Sequence, residues 1–169
     1  MRPDHARIIA DHLIATIEQE IPITLKVLGA VPDTRLDYRP DPVSKTAQGL
    51  LRHLVLEDEW ILNAVADGQF GPMVDETDAC GIMTPADAIA CYQQRIPAAL
   101  ARVKALPDEA LAREVDMFGF IRMPAIGFLS MLLRHTAHHR GQLSAYLRAM
   151  GGKVPGIYGP SADSVAVTA

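Results

Sequence analysis

The stretch PAIGFLSMLLRHTAHHRGQLSAYLRAM, residues 124–150, decides the fold. Leu129, Leu132, Leu143, Leu147 and Met150 fall on one side of a 3.6-residue helix, which marks a long helix with a buried stripe. Pro124 suits the first turn, where its missing N–H is not needed, and Gly151 with Gly152 supplies the stop. The same stretch holds three histidines, at positions 135, 138 and 139. At about 100° per residue, His135 and His139 lie about 40° apart and one turn above each other, the spacing two imidazoles need to reach one metal ion. His135 and His138 form a second possible pair. The apolar stripe decides between them, because it lies on the side of His135 where His139 falls, while His138 falls toward solvent.

Three further helices are read outward from this one. Ile9, Leu13, Ile17, Ile21, Leu25 and Leu28 recur at spacings of three and four and predict a helix from Asp4 to Leu28, with a kink or break near Glu20 at Pro22. After a connection with prolines at 32, 40 and 42, a second helix is expected from Thr46 to Ala66, ended by Asp67 and Gly68. Thr84, Pro85 and Asp87 form an N-terminal signature for a third helix that stops before Pro107, with Pro97 a possible bend. The segments 68–83 and 107–123 read as loops, longer than antiparallel neighbours need, so at least one is expected to join parallel helices. Residues 1–150 are thus read as one helical bundle, and residues 151–169, rich in Gly, Pro and Ser, as an irregular tail.

Composition agrees with an all-α chain. Of the 169 residues, 49% are hydrophobic but only 5% aromatic, a palette of Leu, Ile, Val, Ala and Met that suits helix packing. Formal net charge is −4 with scattered Lys and Arg, which argues against nucleic acid as a partner. The first residues lack the apolar core of a signal peptide, and no stretch approaches the roughly 18 apolar residues of a membrane span, so a cytoplasmic location is expected. Cys80 and Cys91 follow no ligand spacing and read as free thiols. His5 and His12 read as surface residues.

Two imidazoles make a weak site, since catalytic zinc takes at least three protein ligands. His53 is the natural third. Its face, shared with Glu57, Trp60 and Ala64, borders the stripe of Leu50, Leu54, Ile61 and Val65. With three ligands and an open position, the ion could polarise a carbonyl or activate water, and Glu57 would stand as general base or as hydrogen-bond acceptor behind a ligand.

These residues resemble the DinB family of metalloenzymes. The resemblance is carried by His53 in HLVLEDEW, the block HTAHHRGQLSAYLRAMG at 135–151, the tail segment KVPGIYGPSAD and the YRPDP connection. It implies a four-helix bundle of up-down-down-up topology and a metal held by His53, His135 and His139. It also implies a homodimer. An all-imidazole shell favours zinc or nickel over iron or manganese by ligand softness. Some members of the family transfer or isomerise small molecules with a low-molecular-weight thiol, so the expected function is a metal-dependent enzyme acting on a small-molecule substrate, with thiol-dependent S-transfer or isomerisation its most specific version. The competing expectation is a non-catalytic metal-binding or ligand-binding stress protein. Tyr158 and Asp163 are candidates for a lid formed by the tail.

Overall fold

In the computed structural model, which describes residues 1–164, four long helices form the bundle: α1 (Pro3–Gly29), α2 (Ala47–Asp67), α3 (Pro85–Lys104) and, last in the chain, α5 (Ala125–Leu147). Between α3 and α5 lie a short helix, α4 (Asp108–Ala112), and an antiparallel hairpin of β1 (Glu114–Met117) and β2 (Ile121–Pro124). Residues 165–169 of the expected tail lie outside the described residues. Among the described residues, no helix is long and apolar enough to cross a membrane.

Local signals act where they stand. Thr46 caps α2 by accepting from the Gly49 N–H at 3.0 Å. Thr84 and Asp87 form a reciprocal capping box at the start of α3. Pro22 and Pro97 sit inside α1 and α3, which nevertheless run on as single helices, so the expected break near Glu20 does not occur.

Side-chain partners give the helix directions. His53 meets His139 and Asp58 meets His135, so α2 and α5 run antiparallel. Asp58 meets Tyr92, Glu59 meets Arg95 and Asp67 meets Arg102, so α2 and α3 run parallel. Arg140 meets Glu20 and Gly152 closes on Ala30, so α1 and α5 run parallel. This is the up-down-down-up bundle, and the crossover 68–84 joins its two parallel neighbours.

Three expectations are corrected. The buried face of α1 is Ala6, Ala10, Ile14, Ile17, Thr24, Val27 and Leu28, rotated from the expected stripe, and Ile9 is 39% exposed. Small side chains at 6 and 10 let other elements approach, and Thr24 is drawn inward by Arg140, neither of which hydrophobicity alone reveals. The segment 107–123 is not a plain loop but holds α4 and the hairpin, turned through Phe118 and Gly119, both at positive φ. The last helix stops at Leu147 rather than Met150, closed by the Gly152 N–H on the Leu147 carbonyl after Gly151 in the left-handed region.

The crossover is pinned to α2 by Arg52, 7% exposed. Its guanidinium donates to the Ile82 carbonyl at 2.8 Å, the Glu76 carbonyl at 3.2 Å and Asp78 Oδ1 at 2.6 Å. That seats residue 76 beside His53.

Candidate metal centre

His53 projects from α2, and His135 and His139 from successive turns of α5, into the seam between these helices. Their Nε2 atoms converge: His53 to His139 is 3.1 Å and His53 to His135 is 3.3 Å. His138 lies outside this convergence and is exposed, its ring edge-on to that of His139 with centroids 4.8 Å apart, and His5 and His12 are exposed as well.

Each of the three rings has an oxygen behind it. His53 Nδ1 lies 2.5 Å from Glu76 Oε1, His135 Nδ1 lies 3.1 Å from Asp58 Oδ1, and His139 Nδ1 lies 2.7 Å from Gln142 Oε1. An oxygen acceptor at Nδ1 selects the tautomer protonated there, which leaves the Nε2 lone pair free. Three lone pairs aimed at one point repel one another unless a cation lies between them. Nitrogens bound to one tetrahedral zinc at ~2.0–2.1 Å stand about 3.3 Å apart, so the observed spacing fits a divalent ion.

The electrostatics favour neutral ligands. Burial, together with the neighbouring imidazoles and against the pull of Gln142, lowers His139 to about 4. Burial alone would raise Glu76, but the His53 ring and the Lys45 ammonium, 2.6 Å from Oε2, hold it down at about 2. Asp58 is 1% exposed, and burial pushes its carboxyl up against the opposing hydrogen bonds of His135, Thr136 and Tyr92.

Glu57 also reaches the cluster. Its Oε1 is 3.8 Å from His53 Nδ1, beyond hydrogen-bond distance, on the ring edge that Glu76 occupies. A cavity of about 150 Å³ borders the site, lined by Ser44, Lys45, Leu50, His139, Gln142 and Tyr146. The described part of the tail, residues 151–164, does not line it. Tyr158 donates to Glu20 at 2.9 Å and receives a bond from Arg140, while Asp163 accepts from Arg148 and from the Val154 N–H. Tyr158 therefore fastens the tail to α1 and α5, and Asp163 fastens it to Arg148 just past the end of α5. Cys80 and Cys91 are free.

Sequence reasoning found the three histidines but missed the oxygens behind them. Asp58 carried a visible signal: it falls on the stripe of Leu54, Ile61 and Val65, where a carboxylate has no place without a partner. Gln142 lies one turn from His139 and was equally available. Glu76 carried no local signal, because its place depends on how the crossover folds back.

Known proteins are similar to this chain in sequence or in fold. The curated protein YrdA of Bacillus subtilis is 29% identical over 155 residues, covering 90% of this chain and 90% of its own. The structure of YfiT from Bacillus subtilis, described as a probable metal-dependent hydrolase with an unusual four-helix bundle topology, superposes with a TM-score of 0.66 at 19% identity, over 85% of this chain and 89% of that one. A mycothiol-dependent maleylpyruvate isomerase superposes with a TM-score of 0.58 at 13% identity, over 85% of this chain and 61% of that one. The family model described as DinB superfamily matches residues 16–143, which takes in all three histidines, and the chain belongs to that family.

Proposed function

We propose that the protein is a metal-dependent enzyme acting on a small molecule, with the ion held by His53, His135 and His139. One observation carries this reading: three imidazole Nε2 atoms converge while each Nδ1 is engaged by an oxygen. The all-nitrogen donor set suits zinc or nickel, with iron or manganese as the alternatives. When bound with a position open, such an ion acts as a Lewis acid and brings a coordinated water toward a pKa of ~7.

The chain's own groups supply the rest. Glu76, Asp58 and Gln142 hold the three rings in one tautomer and orientation. Glu57, half-buried and without a hydrogen bond among the described residues, is the carboxylate available to move a proton. The cavity beside His139 offers the substrate an apolar wall in Leu50, the Lys45 cation and the polar groups of Ser44, Gln142 and Tyr146. Its size suits a small ligand. Thiol-dependent S-transfer or isomerisation is the most specific version, supported by the fold shared with the mycothiol-dependent isomerase, and hydrolysis is the version supported by YfiT. The working unit is proposed to be a homodimer.

The second reading is a non-catalytic protein in which the ion only braces α2 against α5. It is favoured by the cluster's joining one ring of α2 to two of α5, so that an ion held there would fasten the two helices without any chemistry. Elemental analysis of untagged protein tests the centre. About one transition-metal ion per chain is expected in wild type and in His138→Ala, with loss in His139→Ala. A wild type that takes up no ion overturns the reading. Turnover of electrophilic small molecules, with and without added thiol, then separates enzyme from brace.

A further inference from the structure

Five of the buried polar side chains among the described residues gather in one belt across the bundle core. Thr24 of α1, Asp58 of α2, Tyr92 of α3, and Thr136 and Arg140 of α5 are each at most 5% exposed. Asp58 is its centre. Oδ1 faces His135 Nδ1 at 3.1 Å, and Oδ2 faces the Tyr92 hydroxyl at 3.1 Å and Thr136 Oγ1 at 2.9 Å.

The two hydroxyls are not equivalent. Thr136 Oγ1 is also 2.9 Å from the Leu132 carbonyl, so its single proton is shared between that oxygen and Asp58. Tyr92 also borders Thr24, but the Thr24 hydroxyl donates to the Glu20 carbonyl and accepts from Arg140. The Tyr92 proton is therefore the one committed to Asp58. A carboxylate this deep in a helical core is costly to keep, and a bundle built for stability alone would hold a Leu there.

We propose that Tyr92, on a helix that contributes no ligand, is a positioning residue for the metal centre. By donating to Oδ2 it fixes the Asp58 carboxylate, whose other oxygen takes the His135 Nδ1 proton, and so sets how tightly His135 holds the ion. The inference rests on the metal-centre reading above. Removing a partner one step behind a ligand typically weakens metal affinity 10–100-fold. Tyr92 acts two steps back, through a group that keeps part of the Thr136 bond, so about tenfold is expected.

The test uses the full-length chain and reads zinc affinity by competition with a chromophoric chelator, together with the visible absorption of the cobalt-loaded protein. Tyr92→Phe, which removes only the hydroxyl, should raise the zinc Kd about tenfold and shift the cobalt bands. In an Asp58→Asn background the same change should add little, since Tyr92 works through Asp58. Thr24→Val, elsewhere in the belt, should leave the Kd unchanged. Thermal melts of the metal-free variants show that each is folded. An unchanged Kd in Tyr92→Phe overturns the inference. So does an equal loss in the Asp58→Asn background, or one of the same size in Thr24→Val. Wild type that binds zinc while Tyr92→Phe matches it sinks this inference alone, whereas wild type that binds no metal sinks the metal-centre reading with it.

Discussion

Replacing Arg52 with Met tests whether the crossover between α2 and α3 is held by one side chain and whether the centre depends on it. Met keeps most of the apolar stem that lies along α2 and deletes the guanidinium. Four interactions go: the bonds to the Ile82 and Glu76 carbonyls, the pair with Asp78 and a weak contact with Met83 Sδ at 3.3 Å. Asp78 is 76% exposed, so that pair contributes about 0–1 kcal/mol. The two carbonyl bonds involve a charged donor and are worth roughly 1.5–3 kcal/mol each, but the Glu76 carbonyl regains water once the segment lifts. The net expectation is a loss of about 2–4 kcal/mol. The crossover carries Glu76, so His53 should also lose its Nδ1 acceptor and metal affinity should fall about tenfold. Guanidinium denaturation gives the stability, limited proteolysis between residues 68 and 83 the loop, and chelator competition the affinity. A variant with wild-type denaturation midpoint and an intact, protease-resistant crossover would refute the pinning. Lower stability with unchanged metal affinity would refute the link through Glu76.

The metal-free protein should lose stability in acid in two stages. His139, at about 4 when folded against 6.5 in a free chain, binds a proton more readily unfolded, so its contribution is complete above pH 6.5 and fades as pH falls toward 4. Glu76, at about 2 against 4.5, contributes fully above pH 4.5 and fades from there downward. Denaturation midpoints at intervals from pH 7.5 to 3 should fall in both windows, the upper loss disappearing in His139→Gln; a flat profile above pH 4.5 contradicts the first stage. Gly68→Ala should cost about 2 kcal/mol or more, because φ there is +77° and an added Cβ would meet the Arg113 guanidinium that bonds the Val65 and Ala66 carbonyls. An unfolding free energy within ~0.5 kcal/mol of wild type would show that Arg113 moves aside freely.

The four long helices and the three histidines were legible because each is a local pattern: the stripe of α5, the caps Thr46 and Thr84, and two imidazoles one turn apart. What escaped were features that depend on another element. The buried face of α1 is turned toward Ala6, Ala10 and Thr24, a choice made by close packing and by Arg140. The hairpin at 114–124 is only four residues a side, and although Val115, Met117, Ile121 and Met123 share one face across it, two apolar residues per strand are too short an alternation to announce it. Tyr158 and Asp163 resemble lid residues in composition, yet Arg140, Glu20 and Arg148 decide where they go. Asp58 lay in plain view within the α2 stripe, and the rule that a buried carboxylate needs partners would have found it.

The topology ties these observations together. An up-down-up-down bundle joins neighbours with short turns, which leave no connecting segment to lie along the middle of a helix. Here α2 and α3 run parallel, so the chain must return the length of the bundle between Gly68 and Thr84. That return passes His53, and Arg52 fastens it there with Glu76 facing the ring. The parallel pairing also sets Tyr92 level with Asp58, giving His135 its support from α3. The crossover thus supplies the oxygen behind His53, and the parallel helix supplies a hydrogen bond to the carboxylate behind His135. Shortening the crossover to an antiparallel turn would remove Glu76 and reverse α3 at once, so the support of the three-histidine cluster and the topology stand or fall together.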